Sequence, residues 1–234
     1  MIRNKRTFII GVIMLLSFTL VFVGIMSPIY GNGRNGLNYA DDIFNSLSKG
    51  SVYFIKDAQE VADSQKGKNI NLTVNASSPE EAVKWGDLYT EADVNVIVQE
   101  SSVTIDGDFS KILGAVVVDS DFMYHNDSES LETRYGYDGK EAIYNWNNSF
   151  EKIKKVLTDE KKFAEVSVLD NIQKKAIEPA YNYYGIEGQK VKENVATLTF
   201  LLAFYLVYTM WYGFGLYFFF DGFGIVVAKP RKAT

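Results

Sequence analysis

The run from Val195 to Phe220, VATLTFLLAFYLVYTMWYGFGLYFFF, decides how the rest of the chain is interpreted. It contains no charged residue. The hydrocarbon core of a bilayer, about 30 Å thick, takes about 20 apolar residues in a helix, and so long an apolar run is rare in the core of a soluble protein. The sequence therefore predicts a transmembrane helix at residues 195–220.

A second uncharged run, from Thr7 to Gly33, lies near the N-terminus and follows Arg3, Lys5 and Arg6. Its apolar part is longer than the about 7 to 15 residues usual in a signal peptide, and no small-x-small cleavage site follows it. We therefore predict an uncleaved signal anchor, with a transmembrane helix at residues 7–30.

The basic residues at the two ends predict the orientation. Lys229, Arg231 and Lys232 follow the second run, as the three N-terminal cations precede the first. Positive flanks stay on the cytoplasmic side of a membrane. We expect cytoplasmic tails at residues 1–6 and 221–234, with residues 31–194 forming a periplasmic or extracellular domain of a cell-membrane protein.

The predicted outer domain is acidic. Residues 34–194 hold all but six of the 24 lysines and arginines and all but one of the 29 acidic residues, which leaves a net formal charge of about −10. Nucleic acids bind to basic surfaces, so a nucleic-acid partner is not expected.

Cysteine and histidine, which many catalytic sites use, are scarce in this chain. The chain has no cysteine and a single histidine, His125. It therefore lacks the ligands for cysteine zinc sites, iron–sulfur clusters and bis-histidine haem. It also shows no Ser-His-Asp set, phosphate loop or dinucleotide fingerprint. We predict neither a cofactor nor an enzymatic activity.

Alternating residues predict a small sheet in the outer domain. Apolar side chains alternate with polar ones at 70–74, 94–98 and 103–105, as in half-buried strands. Ser78 and Pro79 begin a helix that runs to about Glu91, and Asp108 caps another over residues 109–118. The order β-α-β-β-α suits an open sheet with its helices on one face, so the predicted fold is a membrane-anchored α+β class.

Helical periodicity predicts further helices around this sheet. They fall at Leu37–Leu47, Val52–Ala62, Gly139–Leu157 and Val168–Glu178. Pro179 is expected to kink or interrupt the last of them.

An acidic patch follows the predicted helix at 109–118. Carboxylates and one imidazole, on Asp119, Asp121, His125 and Asp127, are candidate ligands for a cation such as calcium, zinc or manganese. Their spacing does not match an EF-hand. The alternative is a solvated loop that ends the helix, which is how charge clusters usually occur.

The second transmembrane segment is unusually aromatic. Hydrocarbon offers no partner to a tyrosine hydroxyl or an indole N–H, and the first segment supplies few polar side chains. We therefore predict that this helix contacts other membrane helices through Phe204, Tyr205, Tyr208, Trp211, Tyr212 and Gly215.

These observations favour a non-catalytic accessory or structural subunit of a larger integral-membrane complex. Its expected partners are other membrane subunits and membrane lipid, and its outer domain would cover the partner's extracytoplasmic face. The alternative is a membrane-tethered sensor or binding module that takes a ligand or cation in the outer domain.

Overall fold

The computed structural model describes residues 2–225. Met1 and residues 226–234 lie outside it, and with them most of the predicted C-terminal tail. The chain divides into two compact units. One holds the residues up to Leu47 together with those from Gln189 onward, and the other is Ser48–Gly188.

The described helices and strands follow one another in this order. They are α1 (Lys5–Met26), α2 (Gly36–Lys49), α3 (Ile55–Asp63), β1 (Asn69–Asn75), α4 (Pro79–Glu91), β2 (Asn95–Gln99), β3 (Ser102–Asp108), α5 (Phe109–Tyr124), α6 (Ser128–Tyr135), α7 (Gly139–Asp159), α8 (Phe163–Ile172), a π-helical turn (Gln173–Ile177), α9 (Glu178–Asn182), a 3₁₀ turn (Val191–Glu193) and α10 (Val195–Gly222).

The three strands form an antiparallel sheet in the order β1-β3-β2. Ile105 of β3 pairs with Leu72 on one side and Val96 on the other, so β1 and β2 run in the same direction. The side chains at 70, 72 and 74 are buried, whereas Thr73 and Thr104 meet on the exposed face, with their hydroxyl oxygens 2.9 Å apart. The predicted β-α-β-β-α order and one-sided packing are confirmed.

The core of the Ser48–Gly188 unit includes large aromatic side chains. Trp85 and Tyr89 of α4 and Trp146 of α7 are fully buried. The Tyr89 and Trp146 rings meet edge to face with centroids 5.3 Å apart, and the Tyr89 hydroxyl donates to Ser149 Oγ at 2.9 Å. Such pairs stabilise beyond the area they bury, by about 0.5–1.5 kcal/mol. They fix α4 and α7 against each other and against the sheet.

Two predicted helix caps are confirmed. The Ser78 hydroxyl accepts the Glu81 N–H at 3.2 Å at the start of α4. The Asp108 carboxylate accepts the Ser110 N–H at 2.8 Å at the start of α5. Each bond satisfies an amide that a helix leaves without an intrahelical partner.

Three predicted boundaries are corrected by the structure. The helix α1 ends at Met26, four residues before the predicted end of the first span. The helix α5 continues to Tyr124, so the prediction of a solvated loop beginning at Asp119 was wrong. The segment predicted as one helix from Val168 begins at Phe163 and widens into the π-helical turn before Pro179.

Pro179 gives the physical reason for the wide turn. A proline inside a helix has no N–H to donate, and its ring collides with the carbonyl four residues earlier. Here the Glu178 N–H donates to the carbonyl of Gln173, five residues back, directly before the proline. The wider turn therefore accommodates Pro179 within the helical segment.

Candidate functional site

The helices α1 and α10 pack along a seam of small residues. Gly215 and Gly222 are buried and lie seven residues apart. Tyr208 lies seven residues before Gly215, so the three residues share one face of α10. A Cβ at Gly222 would lie 2.6 Å from Phe8 Cα, and one at Gly11 would lie 2.7 Å from Phe219 Cα. Only glycine permits the backbones to approach so closely.

Further along the seam, the Phe18 ring of α1 stacks on Tyr208 at a centroid distance of 4.3 Å and contacts Tyr212 at 4.9 Å. The Tyr208 hydroxyl is buried and has no hydrogen-bond partner among residues 2–225. The polar side chains of α1 do not reach it, because Ser17 and Thr19 donate to carbonyls of their own helix at 2.8 Å. The structure therefore places Tyr208, Tyr212 and Gly215 against α1 of the same chain.

The other aromatic residues predicted to contact a partner are more open. Tyr205 is 69% exposed. Phe204 is exposed on one side and stacks on Tyr208 at 5.5 Å, and Trp211 is half-buried. Tyr217, which the sequence analysis did not select, is 60% exposed. Some of the residues predicted to contact a partner thus pack against α1, and others lie on the exposed surface of α10.

Asp119, a candidate metal ligand, is instead the centre of a buried hydrogen-bond network. It is 0% exposed and forms an ion pair with Arg134. It also accepts the Tyr135 hydroxyl at 2.5 Å and the Trp146 indole N–H at 2.8 Å. Burial raises the pKa of the Asp119 carboxyl, and the hydrogen bonds from Tyr135 and Trp146 act in the opposite direction. Both carboxylate oxygens are already engaged by donors.

The other candidate metal ligands make contacts that do not involve Asp119. The Asp121 carboxylate accepts the Tyr53 hydroxyl at 3.0 Å and lies 3.2 Å from His125 Nδ1. Asp127 caps α6 by accepting the Ser130 N–H at 3.1 Å. Within residues 2–225, no three such side chains are grouped so as to hold a metal ion.

A cavity of about 410 Å³ lies between α7, from Ile143 to Lys154, and the segment from Asp170 to Asn182 that contains the π-helical turn. Two tyrosines, Tyr144 and Tyr181, line this cavity. Tyr144 is 51% exposed, and its ring centroid lies 6.3 Å from that of Tyr181. Lys140 Nζ lies 4.7 Å from the centroid of the Tyr181 ring, a cation–π contact.

Polar groups line the same cavity. Lys154 Nζ lies 2.7 Å from the Glu151 carboxylate and 2.8 Å from the Asp170 carboxylate. Desolvation alone would raise the pKa of Glu151, but hydrogen bonds from Lys154 and Gln173 outweigh it and hold that pKa below its usual range. Glu151 and Asp170 thus share one ammonium group.

Gln173, in the π-helical turn, is the most buried polar group of this cavity. It is 4% exposed, and its Nε2 donates to Asn147 Oδ1 at 2.8 Å and to Glu151 Oε1 at 2.9 Å. Its Oε1 accepts no hydrogen bond from the part of the chain that the structure describes. Sequence reasoning missed this site, and Pro179 was the only signal that the helix would be irregular here.

In comparisons with known proteins, no family model, no curated protein and no solved structure matches the chain. The class is defined by the fold alone. It is a mixed α+β chain with a three-stranded antiparallel sheet and, within the described residues, two helices long and apolar enough to cross a membrane.

Proposed function

We propose that the chain is a non-catalytic accessory subunit of a larger integral-membrane complex, held in the bilayer by α1 and α10. Only 6% of the most apolar stretch of α1 and 0% of that of α10 are buried within the chain. A core helix of a soluble protein would be mostly buried, whereas lipid or another membrane protein can cover these surfaces.

The observation that carries the proposal is the position of Tyr205. It lies ten residues along α10, or about 15 Å from its first residue, which is about the middle of a bilayer core. A hydroxyl that faces hydrocarbon has no partner, and its desolvation costs about 1–3 kcal/mol in proteins. A polar group on a neighbouring membrane helix would satisfy Tyr205.

Tyr208 supports the same interpretation. Its hydroxyl is left without a partner in the packed α1–α10 pair, although one face of its ring is covered by Phe18. A membrane partner that packs over Phe204 and Tyr205 would give this hydroxyl a partner once the side chains that cover it shift. In the proposed topology both termini are cytoplasmic, and residues 31–194 cover the partner's extracytoplasmic face.

The test is site-specific photo-crosslinking in native membranes, followed by native mass spectrometry in mild detergent. A photo-reactive residue at Tyr205 should join the chain to one integral-membrane protein, and that protein should also co-purify with the unmodified chain. The same probe at Tyr212, which faces Phe18, should instead join α10 to α1.

Tyr205→Phe supplies the discriminating variant. It removes only the hydroxyl, so it should weaken co-purification, whereas Leu202→Ala, at another exposed position of α10, should not. Recovery of only a monomer or homodimer, with no cross-linked second protein at Tyr205, would overturn the accessory role.

A further inference from the structure

We propose that the cavity between α7 and the π-helical turn binds a small, neutral, polyhydroxylated solute, such as a mono- or disaccharide. This inference goes beyond the accessory role and stands without it. The cavity belongs to the Ser48–Gly188 unit alone.

Gln173 carries an unsatisfied hydrogen-bond acceptor. Gln173 is held in place by its two donated hydrogen bonds, while its buried Oε1 accepts none within residues 2–225. A buried polar atom without a partner costs about 1–3 kcal/mol. The π-helical turn that places Gln173 here is a type of distortion frequently found at functional sites. A ligand that donates a hydrogen bond would satisfy this oxygen once the side chains that cover it shift.

The side chains that line the cavity suit a ligand with many hydroxyl groups. Amides and carboxylates, on Asn147, Gln173, Asn182, Glu151 and Asp170, surround the cavity. Each sugar hydroxyl supplies one donor and two acceptor lone pairs, so neighbouring hydroxyls can use amide N–H groups, carboxylate oxygens and the Lys154 ammonium together. The exposed Tyr144 ring offers its electron-rich face to the apolar C–H face of a sugar.

The charges at the cavity favour a neutral ligand. The Lys154 ammonium already pairs with both Glu151 and Asp170. Lys140 already lies over the Tyr181 ring, so a cationic ligand drawn to that ring would meet a like charge. An anionic ligand would approach a lining with three carboxylates and two ammonium groups. A neutral ligand avoids both conflicts. The volume of about 410 Å³ lies toward the lower end of small-molecule sites, which suits one or two rings.

The experiment uses the full chain in phospholipid nanodiscs, because detergents with maltoside or glucoside headgroups would compete for the site. Titration calorimetry and saturation-transfer NMR would be run with glucose, galactose, N-acetylglucosamine and maltose. Choline and glutamate serve as a cationic probe and an anionic probe. At least one sugar should bind with one site per chain, and neither comparison solute should bind.

Two variants locate the site. Tyr144→Ala removes an exposed ring and Gln173→Leu removes the buried acceptor, and each should weaken sugar binding at least about tenfold. Phe163→Ala, an exposed aromatic residue of α8 outside the cavity, should leave binding unchanged. Circular dichroism checks that Gln173→Leu remains folded. If that variant does not fold, Tyr144→Ala alone tests whether the sugar binds in this cavity.

The outcomes separate cleanly. Flat titrations with all four sugars, or sugar binding that Tyr144→Ala and Phe163→Ala affect equally, would overturn the proposal. Binding of choline or glutamate in place of the sugars would overturn the ligand class. None of these results bears on whether α10 has a membrane partner, since the measurement involves no second protein.

Discussion

Lys49 Nζ donates to Asn126 Oδ1 at 2.9 Å, although the two residues are 77 positions apart and the lysine is only 4% exposed. The same ammonium donates to the carbonyls of Tyr183, at 3.1 Å, and Ile186, at 2.5 Å. Burial lowers the pKa of Lys49, while the charge of Glu187 acts to raise it. Lys49 therefore ties the beginning of the Ser48–Gly188 unit to its end.

Replacing Lys49 should loosen this connection. Lys49→Met removes three hydrogen bonds from a charged donor, and we expect a loss of about 2–3 kcal/mol in the free energy of unfolding. Hydrogen exchange should rise over residues 183–188. Lys66→Met, which alters an exposed lysine paired with Asp63, should change stability by less than about 0.5 kcal/mol. Equal effects of the two variants in chemical denaturation would contradict the role given to Lys49.

The Asp119 network should be sensitive to the loss of its acceptor. Asp119→Ala leaves the Tyr135 hydroxyl, the Trp146 indole and the Arg134 guanidinium without their common partner. We expect a loss of about 3–5 kcal/mol, as is usual when one partner of a buried ion pair is removed. Asp119→Asn keeps one acceptor oxygen and should cost less. Denaturation is followed by tryptophan fluorescence, to which Trp85, Trp146 and Trp211 all contribute. An Ala variant as stable as the Asn variant would argue against the network.

Asp108 should make the start of α5 pH-dependent. Hydrogen bonds from Ser110 hold the pKa of Asp108 below its usual range, and the Gly67 N–H adds to them. Because the folded-state pKa lies below the unfolded value, this stabilisation is present above the ordinary aspartate pKa. It is lost as pH falls through the folded-state pKa.

Two variants at Asp108 test this sign. Asp108→Asn still caps the helix but does not titrate, so wild type should lose stability relative to it on acidification. Asp108→Ala loses the cap and about 1 kcal/mol near neutral pH. A pH-independent difference between wild type and the Asn variant, measured by urea denaturation across the acidic range, would count against the contribution of the charge.

The glycine seam predicts which substitutions separate α1 from α10. A valine at Gly222 would drive its side chain into the Phe8 backbone, whereas Gly213 has no atom within 4 Å of an added Cβ. Gly222→Val should therefore open the helix pair and Gly213→Val should not. The native chain has no cysteine, so Leu15→Cys with Gly215→Cys gives a clean disulfide assay. Equal cross-linking in both glycine variants would exclude the close packing at Gly222.

Local patterns predicted much of the fold. The alternation at Ile70, Leu72 and Val74 identified β1 and its buried face, and the caps at Ser78 and Asp108 marked where α4 and α5 begin. These signals succeed because a strand or a helix end is specified by residues within a few positions of one another.

Asp119 shows where such reasoning fails. In sequence it is one of several acids, and charge clusters are usually solvated. Its partners Arg134, Tyr135 and Trp146 lie 15, 16 and 27 residues away, on α6 and α7. Whether a carboxylate is buried depends on donors that only packing brings to it, so no local pattern distinguished Asp119 from Asp121.

The sequence by itself determined the two apolar segments, the succession β-α-β-β-α along the chain and the absence of cysteine chemistry. Composition and short-range periodicity are properties of the chain before it folds. Only the tertiary structure decided that Tyr208 faces Phe18 while Tyr205 faces outward, and that Gln173 is buried beside a cavity with an unpaired oxygen. Those outcomes depend on contacts between distant segments, which form only when the helices pack.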